Sequence, residues 1–451
     1  MLSLVEWRAE GAKSPTRTIV RASLTLRAVT SLALLLLGSL LPSFETDAAT
    51  LREPVAWWAR PFVRWDTVHF VNVALGGYPN EWEAAFMPGL PGLMRAGGEV
   101  LHWLSRAGGA VSGNEVVVAG LVLTIAATTA AALCLHRLTL HTFPSCPSFA
   151  LLTALLFLLA PARPALHGVP YTEPFAALCT FGGMLFFAQE RDAAAALVWG
   201  AGTTFRAQGA VLGVGFFGWK WVLRRSFDGR ESATQVVRRL VVNLPRFALL
   251  SLLSAAPFLA FQAYIYMLHC SSTTDEMRPW CTQGLGLSYG WIQREHWNVG
   301  PFRYWTLLQL PNFLLASPVL ALSLSASWAF YTRNARVALH STLPFLPASL
   351  LPSPWPTPPR GTDRPLTAPS SPLTALALVP HLHLHTALTL LLLLSAHVQI
   401  ALRVCATSPV AWWFAAELVQ QRGRAGRAWE RYVTWWGWVA TGLWAVFLPP
   451  A

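Results

Sequence analysis

The residues best suited to chemistry are Arg64-Trp65-Asp66-Thr67-Val68-His69-Phe70, followed by Gly77-Tyr78-Pro79-Asn80-Glu81 and closed by Phe86-Met87-Pro88-Gly89-Leu90-Pro91. An aspartate set between a tryptophan and an apolar run, just after the first long hydrophobic segment, suits a base that takes a proton from a hydroxyl brought to a membrane face. Gly and Pro break the chain behind it, and the spacing predicts a second carboxylate, Glu81, within reach of the first. The competing reading is a surface loop whose carboxylates only meet water, which is what most exposed carboxylates do.

Two further stretches carry charge in apolar surroundings. Gly202-Thr203-Thr204-Phe205-Arg206-Ala207-Gln208-Gly209 places an arginine among hydrophobic segments, where an unpaired charge is costly and a functional role is the default. Its guanidinium can hold a phosphate bidentately; snorkelling toward the interface is the alternative. Tyr171-Thr172-Glu173-Pro174 opens another apolar segment, and Glu173 either complements a helix N-terminus or meets a substrate hydroxyl. Cys270 and Cys281 share one loop, so they form a disulfide in an oxidising compartment or remain two thiols. The aromatic and ionisable residues of 291–305 suit a segment lying along the membrane surface, to guide a lipid-linked sugar or simply to pack. His381, His383 and His385 have no neighbouring carboxylate and only two of them share a helix face, so no metal site is expected there. No cofactor is required by the sequence, with a loosely held divalent ion left open. The chain also has no nucleotide-phosphate loop, no Asp-x-Asp pair and no Ser/His/Asp set.

The elements that must position these residues are membrane helices. The 451-residue chain is 54% hydrophobic and 12% charged, about half the charge of a soluble protein. Its 22 tryptophans suit anchoring at bilayer interfaces. A net charge of +12 would fit nucleic acid, but the basic residues lie between hydrophobic segments, and topology explains them better. Apolar segments fall near 24–43, 116–135, 148–166, 172–189, 193–208, 210–223, 247–268, 306–331, 374–396, 404–420 and 432–448. That makes about eleven hydrophobic helices, several of them shorter than the roughly 20 residues of a full span. Residues 1–23 read as a cytoplasmic tail ahead of a retained signal anchor, and 24–451 as one multi-span domain. The Lys and Arg of the start, of 219–246 and of 421–431 fall on one side of this count. The positive-inside rule makes that side cytoplasmic and puts two long loops, 44–115 and 269–305, in the lumen. The Pro-rich segment 353–372 reads as a cytoplasmic loop.

Taken in order, Trp65-Asp66, His69-Phe70, Gly77-Tyr78, Glu81 and Phe86-Met87-Pro88-Gly89-Leu90-Pro91 resemble the second GPI mannosyltransferase family, the PIG-V type. The resemblance continues through Tyr171-Thr172-Glu173-Pro174-Phe175, Arg206-Ala207-Gln208-Gly209, Trp280-Cys281, Ile292-Gln293 and Trp297-Asn298-Val299-Gly300. It runs on through Gln309-Leu310-Pro311-Asn312, His397-Val398-Gln399, Arg403 and Phe447-Leu448-Pro449-Pro450. Arg206-Ala207-Gln208 departs from the Arg-Ser-Asn form of that family, and 353–372 has no counterpart in it.

The resemblance implies an all-α, GT-C-type glycosyltransferase of the endoplasmic reticulum membrane with a lumenal active site. It would transfer an α-1,6-linked mannose from dolichyl-phosphate mannose to a GPI glycolipid precursor that already carries one mannose. Asp66 would be the base, and Arg206 the phosphate partner. Trp65, His69, Glu81, Glu173, Gln208, Gln293 and Asn298 would bind or orient the substrates. Membrane lipids are expected neighbours, there is room for a small accessory subunit, and no nucleic-acid partner is expected. The rival classes are a multi-span lipid or sugar transporter, which should show two related halves, and a non-catalytic subunit of a GPI-assembly complex.

Overall fold

The computed structural model describes residues 13–44, 50–106, 108–224, 232–271, 278–282, 287–343, 365–367 and 372–448. Helices carry the whole fold, and no strand occurs among the described residues. Inside a bilayer a helix satisfies its own backbone polar groups, so apolar runs of this length have little alternative.

The helices are α1 (Pro15–Leu40), α2 (Asp66–Gly76), α3 (Gly89–Ser105), α4 (Gly113–Thr142), α5 (Pro147–Leu158), α6 (Glu173–Ala188) and α7 (Asp192–Thr203). They continue as α8 (Gln208–Phe217), α9 (Ala233–Cys270), α10 (Ser288–Glu295), α11 (Leu310–Thr342), α12 (Pro372–Ser395), α13 (Pro409–Gln420) and α14 (Arg424–Ala445). Short turns of tighter or wider helix fill several of the gaps, among them Arg60–Phe62, Glu81–Ala85 and Pro164–Gly168. Their starts follow local chemistry. Proline occupies the first turn of α1, α5, α6 and α13, where its missing N–H is no loss. Ser112 and Glu115 form a capping box that starts α4.

All the expected hydrophobic segments are largely helical, but among the described residues five helices are long and apolar enough to cross a membrane by length and composition. These are α1, α4, α9, α11 with its preceding turn, and α12. The 193–208 and 210–223 pair resolves into α7 and α8, of 12 and 10 residues, about 18 and 15 Å long and too short to span. The stretch 44–115, expected as a loop, carries α2, α3 and a turn instead, so Asp66 begins a helix rather than sitting on a loop. The helix α9 starts inside the expected 219–246 loop, at Ala233. Most of the Pro-rich segment 353–372 lies outside the described residues.

Helix directions define two ends. The starts of α2, α6, α8 and α11 and the tips of α9, α12 and α14 gather at the end that holds Asp66. Gly300 and Phe302 tie back to the tip of α12 through Ser395 and Leu394, and the Phe44 N–H reaches Val446 O at 2.9 Å beside the tip of α14. The starts of α1, α9 and α14 lie at the opposite end, with Arg17, Arg21, Arg238, Arg239, Arg424 and Arg427. At that end Lys220 pairs with Glu190 and Asp192, and Arg246 stacks on Trp221.

Candidate active site

Asp66 owes its position to a kink in the chain. Trp65 has φ of 51°, a left-handed conformation rare for a bulky residue, and the turn makes Asp66 the first residue of α2. There the helix dipole favours a carboxylate. One Asp66 oxygen, Oδ2, accepts from Arg403 Nη1 at 2.7 Å, and the same nitrogen donates to the Tyr171 hydroxyl at 2.8 Å. Arg403 Nη1 also lies 3.7 Å from Glu173 Oε1, and that oxygen accepts in turn from Arg206. The Thr172 hydroxyl lies 3.2 Å from the other Glu173 oxygen.

The result is a chain of alternating charge, Asp66–Arg403–Glu173–Arg206, in which two carboxylates balance two guanidiniums. Its burial is graded. The Glu173 side chain is fully enclosed, Arg403 is 12% exposed, and Asp66 keeps 31% of its side-chain surface open. Burial raises the Asp66 pKa, but the charge and hydrogen bond of Arg403, with Tyr171 and His69, outweigh it and hold the carboxyl below its ordinary value. Asp66 is therefore held in its ionised form. Arg403 uses only Nη1 for these contacts, and its Nε is buried with no hydrogen-bond partner, an unmet donor beside the carboxylate.

The cleft over this chain measures about 40 Å³ and is lined by Trp65, Asp66, Tyr171, Arg403 and Trp444, with Ala162, Pro164 and Ala165 behind. That is room for water, not for a sugar. His69, one turn along α2 from Asp66, stacks on Phe86 with centroids 4.5 Å apart and meets Trp297 edge-on at 6.2 Å. Trp297 is held through its carbonyl, which accepts from His397 Nε2 at 2.6 Å, and its indole N–H is buried without a partner.

The other sequence candidates fall around this centre. Glu81 does not join Asp66. Its oxygens take Arg278 at 2.8 Å, Trp280 Nε1 at 3.1 Å and His296 Nε2 at 3.0 Å. Burial would raise its pKa, but these three partners lower it below the ordinary range. Glu81 thus clasps the 278–305 stretch onto the first segment. The disulfide Cys270–Cys281, with Cα atoms 5.7 Å apart, ties that stretch to the tip of α9. Gln293 contributes its carbonyl to the Val299 N–H at 2.8 Å, next to Asn298, whose φ is 49°. Gln208 donates to Thr407 at 3.2 Å behind Arg206, and its own Oε1 is buried without a donor. The turn that carries Arg206 is fixed by Gly89, whose N–H bonds Thr204 O at 2.7 Å. A Cβ at Gly89 would fall 2.5 Å from Thr204 Oγ1, so glycine is required for this approach. The three histidines face separate neighbours: His381 lies edge-on to Phe216, His383 bonds Tyr331 and Thr342, and His385 bonds Ser408.

Arg403 is the residue that sequence reasoning left without a role. The signal that singles out Arg206, a guanidinium among apolar residues, applies equally to Arg403 in Ala401-Leu402-Arg403-Val404.

Comparison with known proteins bears on this geometry. The sequence pattern of the family described as mannosyltransferase (PIG-V) matches residues 18–451. GPI mannosyltransferase 2 of Cryptococcus neoformans var. neoformans serotype D (strain JEC21) is 34% identical, across 98% of this chain and 100% of that one. GPI alpha-1,6-mannosyltransferase 2 of Cricetulus griseus is 30% identical, across 90% of this chain and 84% of its own. An oligosaccharyltransferase of Archaeoglobus fulgidus overlays 95% of this chain and 55% of its own at 12% identity, with a TM-score of 0.46. That likeness is too loose to carry the site across.

Proposed function

Because the chain belongs to the PIG-V mannosyltransferase family, we propose that it transfers the second mannose of the GPI glycan. It would work as a GT-C-type enzyme, taking dolichyl-phosphate mannose as donor and making an α-1,6 bond to a one-mannose GPI acceptor. The names of its relatives support the mannose transfer and its linkage. One observation carries the mechanism: a partly exposed, ionised Asp66 backed by a buried guanidinium with an unmet donor.

The β-linked donor and α-linked product of this reading call for one displacement with inversion. The acceptor hydroxyl oxygen bonds to the anomeric carbon, the bond from that carbon to the phosphate oxygen breaks, and dolichyl phosphate leaves. The hydroxyl proton passes to Asp66, which is free to take it because Arg403 keeps it ionised. Arg403 offers its free Nε to the leaving phosphate, and Arg206 supports it from the far side of Glu173. Glu173 is fully enclosed, so its part is to hold the two guanidiniums apart and oriented rather than to touch sugar. His69, Phe86 and Trp297 present ring faces and an indole N–H to the sugars.

The basic residues at the end opposite Asp66 support a lumenal site in the endoplasmic reticulum membrane. The test supplies membranes bearing the chain with mannose-labelled dolichyl-phosphate mannose and a one-mannose GPI acceptor. The expected product carries one more mannose, released by an α-1,6-specific mannosidase. Donor movement across the membrane without bond formation would make the protein a transporter, and no product under any condition would overturn the reading.

A further inference from the structure

Next to the cleft stands a cation, Arg64, that pairs with no carboxylate among the described residues. The Arg64 residue is 4% exposed, its Nη2 donates to the Ser43 hydroxyl at 3.0 Å, and its guanidinium lies 4.9 Å from the centre of the Phe447 ring. Arg64 Nε is buried with no hydrogen-bond partner, as is the indole N–H of the adjacent Trp65. Burial and then the like charge of Arg60 push the Arg64 guanidinium below its ordinary pKa. Arg60 begins the turn Arg60–Phe62 and is exposed. A buried charge facing another of the same sign is unfavourable unless something anionic completes it.

The surroundings say where that anion comes from. The Phe447 ring under Arg64 also packs on Trp65 with centroids 5.5 Å apart, and Trp65 lines the Asp66 cleft with Trp444. Trp444 is tied to the same turn through its Nε1, which donates to Pro61 O at 3.2 Å. Arg64 is thus one ring removed from the cleft. That is too far for a leaving group, which must sit on the reacting carbon, but close enough for a phosphate further along a bound substrate. It also lies where α1 and α14 end, beside the Phe44 N–H to Val446 O hydrogen bond.

We propose that Arg64, with Arg60, forms an anion subsite for the phosphodiester that joins the acceptor glycan to its lipid, anchoring the acceptor while its sugar reaches Asp66. This rests on the mannosyl-transfer reading above. The ligand chemistry is a phosphodiester, which donor and acceptor both carry, so the test must tell them apart.

The full-length protein in membranes is given dolichyl-phosphate mannose with either of two acceptors. One is the one-mannose glycosylphosphatidylinositol, and the other is the same glycan on a neutral alkyl chain without phosphate. The wild type is expected to favour the phosphate-bearing acceptor in KM by about tenfold, the worth of one charge-assisted hydrogen bond. Arg64→Gln should bring that ratio toward one, Arg64→Lys should keep most of it, and Arg60→Gln should lower it a few-fold. A rise in KM shared by both acceptors, or confined to the donor, would overturn the proposal. So would a fall in kcat with the ratio intact. If Arg64→Gln does not accumulate, the ratios for Arg64→Lys and Arg60→Gln decide. A wild type that extends neither acceptor would refute the reaction itself rather than this subsite.

Discussion

The proposed mechanism gives Arg403 two functions that substitution can separate. Its Nη1 carries the hydrogen bonds to Asp66 at 2.7 Å and to Tyr171 at 2.8 Å, while its Nε makes none. Arg403→Met removes both the cation beside Asp66 and the donor for phosphate. Breaking a buried ion pair costs about 3–5 kcal/mol. Asp66 is 31% exposed and can recover water, so about 1–3 kcal/mol is the expected loss of stability. The folded pKa of Asp66 lies below its unfolded value, so the pair stabilises the protein fully above about pH 4 and is lost as pH falls through the folded pKa. Without Arg403, burial is the largest influence left on Asp66 and raises its pKa against the lesser lowering by Tyr171 and His69. The acid limb of the rate profile, set by protonation of the base, should therefore move to higher pH than in the wild type. Arg403→Lys returns a cation to the carboxylate but supplies no Nε. Its acid limb should stay near that of the wild type while kcat falls by about tenfold to a hundredfold, one charge-assisted hydrogen bond in the transition state. The assay is mannose transfer in membranes from about pH 5 to 8, normalised to protein abundance. An unmoved acid limb in Arg403→Met would refute the electrostatic coupling. A shifted limb with full turnover at its plateau would refute the phosphate role.

Two further expectations follow the same geometry. Arg206→Lys keeps the charge opposite Glu173 but loses the planar fork, so transfer should fall about tenfold or more; near-wild-type rates in membranes would leave Arg206 as a snorkelling residue only. Glycan acceptor sites inserted into 44–115 and 269–305 should be modified in the endoplasmic reticulum, and one inserted into 219–246 should not; mobility shifts on glycosidase treatment read this, and modification of the third insert would reverse the topology.

Much of the fold is legible because hydrophobic runs act locally. The run 116–135 becomes the 30-residue α4 once Ser112 and Glu115 cap it, and the helix ends fall where Pro and the caps put them. The stretch 44–115 reads as a loop because Gly, Pro and charged residues dilute its hydropathy. Its short helices are held by tertiary contacts such as Gly89 to Thr204 that no local pattern reveals. In the site, Asp66, Glu173 and Arg206 each stand out as charge in apolar surroundings, and they lie on one ion-pair chain. What joins them does not stand out: Arg403 is 337 positions from Asp66, and nothing in either neighbourhood encodes that pairing. Glu81 shows the converse. It is near Asp66 in sequence, yet its partners Trp280 and His296 lie 199 and 215 positions away.

The central claim is that Asp66 takes the proton from the acceptor hydroxyl. Asp66→Asn preserves the shape of the side chain, and its amide oxygen can still accept from Arg403, so the protein should accumulate in membranes at normal abundance. Loss of a general base costs about 10²–10⁴ in rate, and the one-mannose intermediate should build up unextended. Asp66→Glu, with its carboxylate displaced by one methylene, should retain a little transfer. The decisive measurement is the single-turnover rate of labelled mannose transfer by Asp66→Asn at matched protein abundance. The account predicts a drop of at least about a hundredfold, and a rate close to wild type would contradict it.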